Sequence, residues 1–183
     1  MKKALVVLLL LFLFPAIVGA QELVKFVLTP NGTYRTEDGE AFIAVPFEGK
    51  TAHQIYQELA SNVGSTFNDP SKVMSGIEDS FIKIRAFSND LIRNVFQSYG
   101  GYYQLEFRIK DGRVRVSAPF IESNVSAGQY GNTFVFFVKK HFKDGKLKNE
   151  SRSKDYWIVV NKMNNIINRI LFTSVVQDAT EDW

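Results

Sequence analysis

The sequence contains no cysteine and only two histidines, and these shortages exclude several kinds of chemistry. Without a thiol there is no cysteine nucleophile, no disulfide and no thiolate metal centre. His53 and His141 alone do not complete a metal site, and no histidine pair or carboxylate cluster has the spacing of metal ligands. We therefore predict no metal and no cofactor, and we interpret both histidines as partly exposed surface residues.

Catalytic motifs are also missing from the sequence. There is no G-x-S-x-G, no S-x-x-K and no glycine-rich phosphate loop. A glycosidase would need two carboxylates facing a cleft, whereas adjacent acidic residues usually point apart. The acidic clusters are Glu37-Asp38 with Glu40, Glu78-Asp79, and Glu181-Asp182. We interpret them as solvated loop charges and predict that the protein is not an enzyme.

A long apolar run occurs only at the start of the chain. Lys2 and Lys3 precede an apolar stretch over residues 4–14, which is shorter than the roughly 20 residues that span a bilayer. Val18-Gly19-Ala20 then matches a signal peptidase site. We predict that residues 1–20 are a cleaved signal peptide and that the mature chain has no transmembrane segment. The expected location is the bacterial envelope, either periplasmic or secreted.

The mature chain has no marked excess of charge of either sign. Removing residues 1–20 leaves 163 of 183 residues and removes two of the 22 basic side chains. The mature chain then has 20 basic and 19 acidic side chains. Overall charge therefore gives no argument for nucleic-acid binding, and only local patches are informative. A chain of this length fits one domain.

The order of predicted elements indicates an α+β fold. Thr51 and Gln54 form a capping-box pattern at the start of a first helix, and a long amphipathic helix follows with apolar residues from Tyr156 to Leu171. Strands are predicted at 22–29, 41–47, 75–87, 102–110, 113–120 and 132–142. From residue 41 the order is β-α-β-β-β-β-α, which predicts a curved antiparallel sheet with two helices on one face. The predicted units are the extension 21–40, the domain 41–175 and the acidic tail 176–183.

One hairpin concentrates basic residues. Asp111-Gly112 is typical of a type I′ turn, which sets Lys110 opposite Arg113. The inward pairs are then Ile109–Val114, Phe107–Val116 and Leu105–Ala118. The outward set is Arg108, Lys110, Arg113 and Arg115, and the neighbouring strand adds Lys83 and Arg85. Opposed like charges destabilise a sheet, and a binding patch for an anionic partner is one interpretation of this set. The alternative is compensation by Glu106, Glu78 or Asp79 together with solvation.

A second candidate surface is the run TFVFFV, which would be apolar on both faces of a strand. It contains Phe134, Phe136 and Phe137. The strip has three interpretations: a ligand surface, a self-pairing surface, or a surface covered by segment 22–40.

Local sequence also carries a family resemblance. The stretches GKTAHQIYQELASNVGSTFNDPSKVM, IKIRAF and YYQLEFRIKDGRVRV resemble the exported bacterial family described as domain of unknown function 4468, with a TBP-like fold. Ile55-Tyr56 matches its helix opening, and residues 110–115, KDGRVR, match its hairpin, with Val114 where the family usually has an aromatic residue. The resemblance covers residues 41–175. It implies a TBP-like architecture and no particular function.

These observations favour a non-catalytic exported binding module. Its expected partner is a protein or an anionic polymer, bound through the sheet and the basic hairpin, and a second copy of the chain is a further candidate on an open sheet face. We expect no nucleic acid, because of the compartment and because outward aromatic residues are missing from the hairpin. The alternative is a helix-grip-like carrier that holds an apolar small molecule between the second helix and the sheet. A hydrolase is the weakest interpretation.

Overall fold

A computed structural model describes residues 23–93, 98–122 and 133–172. The predicted signal peptide and the predicted acidic tail lie outside the described residues. Within the described part, no helix combines the length and the apolar character needed to cross a membrane.

The chain forms an antiparallel sheet with two long helices on one side. The strands are β1 (Val27–Leu28), β2 (Tyr34–Arg35), β3 (Phe42–Pro46), β4 (Met74–Ile77), β5 (Phe81–Arg93), β6 (Ser98–Lys110), β7 (Arg113–Ser117), β8 (Phe120–Ile121), β9 (Phe142–Lys143) and β10 (Lys146–Leu147). The helices are α1 (Ala52–Thr66), α2 (Pro70–Val73), α3 (Thr133–Lys139) and α4 (Glu150–Leu171). The central sheet has the order β3-β7-β6-β5-β4, with β8 paired to β6. The α+β prediction is confirmed.

Helix α1 begins and packs as the sequence predicts. The Thr51 hydroxyl accepts the Gln54 N–H at 3.3 Å, and the Gln54 side chain accepts the Thr51 N–H at 2.9 Å. This capping box satisfies two backbone donors that the helix itself leaves unpaired. The apolar stripe Ile55, Leu59 and Val63 is fully buried against the sheet and α4.

Two of the predicted strands are each divided in the structure. Residues 75–87 form parts of two strands, β4 and β5, which are joined by a turn where Asp79 has a φ of 60°. The stretch 113–120 breaks before Pro119, because proline lacks the N–H that a ladder needs. Beyond the break the register shifts by one residue, so Phe120 pairs with Gln104 and the predicted Leu105–Ala118 pair does not form.

The prediction of a strand over 132–142 is wrong. Residues Thr133–Lys139 form α3, in which Phe134, Phe137 and Val138 are buried. These positions are three and four residues apart, as on one face of a helix. Phe136 points away from this face and is 65% exposed. The run is therefore one half-buried helix, and Phe134 and Phe137 belong to the core instead of an apolar surface strip.

The hairpin turn at Asp111-Gly112 has the predicted register but a different conformation. Lys110 pairs with Arg113, yet among these two turn residues only Gly112 has a positive φ, at 72°. A type I′ turn needs a positive φ at both residues. The Asp111 carboxylate instead accepts the Ala52 N–H at 2.7 Å and so caps α1. The predicted type I′ turn at this position is wrong.

The N-terminal segment runs extended along α4. The Asn168 side chain bonds the N–H and the C=O of Val24, both at 2.8 Å, and the Asn164 side chain bonds those of Phe26 at 3.0 and 2.9 Å. The Tyr156 hydroxyl accepts the Leu28 N–H at 3.1 Å and donates to the Leu28 C=O at 2.9 Å. We call this set of bonds the asparagine ladder.

The ladder decides where the N-terminal segment packs. Val24, Phe26 and Leu28 are buried in the same core as the sheet and the two long helices. The segment therefore covers α4, and its turn at Gly32 also meets α3, where a Cβ on Gly32 would lie 3.3 Å from Val135 and 3.6 Å from Phe134. Of the three interpretations of the TFVFFV run, cover by segment 22–40 is thus supported at Phe134, although the run is a helix and not a strand of the sheet. The other side of the sheet keeps its large side chains exposed.

Candidate functional site

The candidate site is the side of the central sheet that faces away from α1 and α4, which we call the open face. Alternation along β5 buries Ile82 and Ile84 under the helices and leaves Lys83 and Arg85 on the open face. The register then places further residues on the same side, because partners across antiparallel strands share a face. The bases on the open face are Lys83, Arg85, Arg108, Lys110, Arg113 and Arg115. All six bases predicted from the sequence are therefore brought together.

Like charges lie directly opposite each other in the β6–β7 hairpin. Arg108 pairs in register with Arg115, and Lys110 pairs with Arg113. Opposed like charges destabilise a sheet pair by a few tenths of a kcal/mol, up to about 1 kcal/mol. The fold alone gives no reason to keep these four residues basic.

Two carboxylates on the open face neutralise two of the six bases. Glu122 makes two hydrogen bonds of 2.7 Å with the Arg85 guanidinium and accepts another, also 2.7 Å, from Gln104. The Arg85 bonds and then the Gln104 bond hold the pKa of Glu122 below its usual value. Glu106 accepts a bond of 2.7 Å from Arg108, so the predicted compensation by Glu106 is present at this base.

The other four bases make no ion pair to a described residue, although Lys83 lies opposite Glu106 in the register. Among the described residues, no carboxylate lies within salt-bridge distance of Lys83, Lys110, Arg113 or Arg115. Six bases against two carboxylates leave four positive charges on the open face. Glu78 and Asp79, which were alternative counter-charges, lie beside His53 instead.

Aromatic rings lie between the bases on the open face. The Arg115 guanidinium lies over the Phe42 ring at 3.9 Å, and the Arg85 guanidinium lies over the Tyr102 ring at 4.0 Å. Phe87 packs edge-on against Tyr102 at 5.0 Å. Phe120 is 59% exposed and pairs in register with Gln104. The hairpin residues 108–116 carry no outward aromatic residue, as expected, and the rings of the open face come from β3, β5, β8 and the far part of β6.

The Arg115 guanidinium is suited to hold an anion. A guanidinium lying flat on a ring keeps its N–H edge directed outward, and that edge matches the planar oxygen pair of a carboxylate, sulfate or phosphate. The Arg115 guanidinium carbon lies 3.9 Å from the Phe42 ring centroid, and among the described residues no carboxylate is within salt-bridge distance of it. The N–H groups of this guanidinium are the feature of the open face that matches such an anion.

A smaller polar cluster lies at the start of α1. His53 Nδ1 is 3.0 Å from an Asp79 carboxylate oxygen and 3.9 Å from a Glu78 oxygen. The positive φ of Asp79 turns the chain so that these adjacent carboxylates converge, contrary to the expectation that they point apart. The donor atoms lie within 4.8 Å of one another, which is a spacing that a cation accepts, but all three residues are exposed. The expected exposure of His53 is confirmed.

His141 differs from its prediction. Its ring is only 3% exposed and packs against Phe137 at 5.0 Å and Tyr156 at 6.2 Å. It lies in the turn between α3 and β9, and its packing against Phe137 of α3 and Tyr156 of α4 makes it a core residue.

No family model matches this chain, and no curated protein sequence matches it. A solved structure from Parabacteroides distasonis ATCC 8503, described as a TBP-like protein, is similar with a TM-score of 0.42 and 10% sequence identity. The match covers 72% of this chain and 91% of that chain. The resemblance to the family of unknown function therefore stays a prediction from the quoted residues, and the α+β architecture is established by the strands and helices of this chain.

Proposed function

We propose that this protein is a non-catalytic, exported binding module that holds an anionic polymer on its open face. The observation that supports this most directly is the set of four bases without carboxylate partners, which lie beside exposed aromatic rings on one side of the sheet. Export is part of the proposal and rests on Lys2-Lys3, the apolar run 4–14 and Val18-Gly19-Ala20.

A polymer fits the spacing of these charges. Neighbouring strands lie about 4.8 Å apart, and every second residue of a strand is about 6.8 Å further along the same face. Among the four unmatched bases, Lys110 and Arg113 lie at the hairpin turn, Arg115 follows one step further, and Lys83 lies beyond it. A chain with charges at regular intervals contacts several of these bases at once. It also releases its bound counterions when it does so, which favours binding.

The test is binding of the mature chain, residues 21–183, to dextran sulfate and to uncharged dextran of the same length. We expect binding to dextran sulfate only. The double variant Arg113→Ser with Arg115→Ser should bind about tenfold more weakly, since two exposed ionic contacts contribute about 0.5–1 kcal/mol each. The dependence of log K on log salt should lose a slope of about 2.

The β9–β10 hairpin supplies a matched control. Lys143 lies opposite Lys146 across an Asp-Gly turn, so Lys143→Ser with Lys146→Ser removes the same charge from a similar like-charge pair. This control should keep the affinity and most of the salt slope. Equal losses in both double variants would mean that the polymer responds to net charge and not to the open face. Equal binding of both dextrans would overturn the proposal.

No observation in the described part of the chain favours the carrier alternative. Its ligand would lie between α4 and the sheet, where Met163, Ile167 and Ile84 have no exposed surface. These side chains belong to one continuous core cluster. The ligand of a carrier would have to displace packed core residues.

A further inference from the structure

The last described residue of the chain lies beside the basic hairpin. The Phe172 ring stacks on Phe47 with the centroids 6.2 Å apart. The Phe47 N–H donates to the Gly112 C=O at 2.8 Å, in the turn between Lys110 and Arg113. The described chain therefore ends, at Phe172, next to the end of the sheet that carries these two bases.

The sequence beyond Phe172 has the opposite charge to the open face. Residues 173–183, TSVVQDATEDW, contain three acidic residues, Asp178, Glu181 and Asp182, and no basic residue. The open face thus has four unmatched positive charges, and this segment has three negative charges. Trp183 adds a flat ring of the kind that Arg115 already covers at Phe42.

The segment is long enough to reach the open face. An extended chain advances at most about 3.3–3.6 Å per residue, so the six steps from Phe172 to Asp178 span about 20 Å. Packed layers are about 10 Å apart, and passing around the hairpin turn is therefore within reach of Asp178. A short tether also gives the segment a millimolar effective concentration at the face.

We propose that the acidic segment 177–183 docks on the open face over Lys110, Arg113 and Arg115 and competes there with an anionic polymer. The docking itself rests on charge, reach and the position of Phe172. The competition rests on the proposed function. The segment would act as an internal pseudo-ligand, so that only a polymer of higher charge density displaces it.

The absence of cysteine allows a direct test of docking without any polymer. The variant Thr180→Cys takes a single nitroxide label, and the label broadens the NMR signals of nearby backbone amides. We expect broadening of amides in β7 and β3 around Arg113 and Arg115. The broadening should disappear in the matched variant that also carries Asp178→Asn, Glu181→Gln and Asp182→Asn. Broadening confined to the end of α4 in both proteins would overturn the proposal.

A second measurement separates this inference from the proposed function. Truncation after Val176 should raise the affinity for dextran sulfate about fivefold at low salt. A docked segment has to be displaced before the polymer binds, and linked binding effects are commonly about fivefold or larger. The neutral segment variant should give the same gain. Docking seen by NMR without dextran sulfate binding in either form would sink the proposed function alone. Dextran sulfate binding that truncation leaves unchanged, with no broadening on β7, would sink the inference alone.

Discussion

The asparagine ladder and the open face differ in whether their polar groups have partners. On the ladder, side chains of α4 meet the backbone of an extended segment, and both the N–H and the C=O of Val24, Phe26 and Leu28 have a partner. On the open face, bases of like sign lie opposite each other and four of them lack a carboxylate partner among the described residues. The ladder joins the N-terminal segment to α4 in the helical layer, whereas the open face is the side of the sheet that is turned away from that layer.

Solvent access explains this difference. A buried polar group without a hydrogen bond costs about 1–3 kcal/mol, so the ladder tolerates no missing partner. Exposed charges are screened by water and salt over about 10 Å, so opposed bases cost little. The comparison teaches that the ladder is required by folding, whereas the open face keeps a charge pattern that folding does not require. The following substitutions test that difference.

The largest expected effect comes from breaking the ladder. Asn164→Ala with Asn168→Ala removes four hydrogen bonds to the backbone of Val24 and Phe26. We expect the free energy of unfolding in urea to fall by about 3–5 kcal/mol, because these buried N–H and C=O groups lose their partners.

The matched control is Asn165→Ala, which changes an exposed asparagine of the same helix. It should change the free energy of unfolding by no more than about 0.5 kcal/mol, in either direction. If the double variant also stays within that range, the ladder is not a source of stability and the comparison fails.

A smaller loss is expected when only the last step of the ladder is broken. Tyr156→Phe removes the hydroxyl that bonds both backbone groups of Leu28 while keeping the ring in the core. The free energy of unfolding should fall by about 1–2 kcal/mol. Tyr56→Phe in α1 is the control, because the Tyr56 hydroxyl has no hydrogen bond to a described residue. Losses of equal size in the two variants would contradict the assignment of stability to the ladder.

Much of the fold follows from local sequence. The capping box at Thr51 and Gln54 begins α1, and the inward pairs Ile109–Val114 and Phe107–Val116 set the hairpin register. The six bases of the open face were predicted from the same alternation. These features depend on near neighbours or on a two-residue turn, so period and turn chemistry are sufficient to find them.

The features missed by sequence reasoning depend on distant partners. The run TFVFFV has high strand propensity, and it forms α3 because Phe134, Phe137 and Val138 pack into the core as one helical face. Asn164 and Asn168 are four residues apart and lie within the apolar stripe of α4. Two polar residues on a face that becomes buried were the available signal for a buried polar partner. Their partner lies more than 130 residues away in sequence, and nothing local identifies it.

Glu122 and the aromatic rings were missed for a related reason. The one-residue shift of register at Pro119 places Phe120 beside Gln104 and brings Glu122 to Arg85. The prediction of one unbroken strand over 113–120 therefore misses both contacts. The proline was the available signal, since it disfavours a continuous ladder.

The open face is expected to respond with opposite signs in stability and binding. Lys110→Glu converts the like-charge pair with Arg113 into an attractive pair at the hairpin turn. The free energy of unfolding should rise by about 0.5 kcal/mol, whereas the affinity for dextran sulfate should fall several-fold. Both quantities are measured on the same preparation, by urea unfolding and by titration at low salt.

The β9–β10 hairpin again supplies the control. Lys143→Glu creates the same attraction to Lys146 and should raise stability by a similar amount, with little change in dextran sulfate binding. A loss of stability in Lys110→Glu would show that Lys110 has a structural partner. The open face would then no longer contrast with the ladder.

The smallest expected effect is on the ion pair of the open face that has two hydrogen bonds, Arg85–Glu122. Arg85 and then Gln104 lower the pKa of Glu122 from its usual 4.5 in the folded protein. A carboxylate with a lowered pKa stabilises the folded state above its usual pKa, and that contribution is lost as the pH falls from about 4.5 through the folded-state pKa. Unfolding free energies measured from pH 6 to pH 3 should therefore fall more steeply for the natural chain than for Glu122→Gln. Since Arg85 is half exposed, the difference should be modest and should shrink in 0.5 M NaCl.

Glu48→Gln, at an exposed glutamate without an ion pair to a described residue, should follow the natural chain throughout. Parallel curves for the natural chain and Glu122→Gln would mean that Arg85 is available to ligands like the other bases, which would raise the unmatched charge of the open face above four.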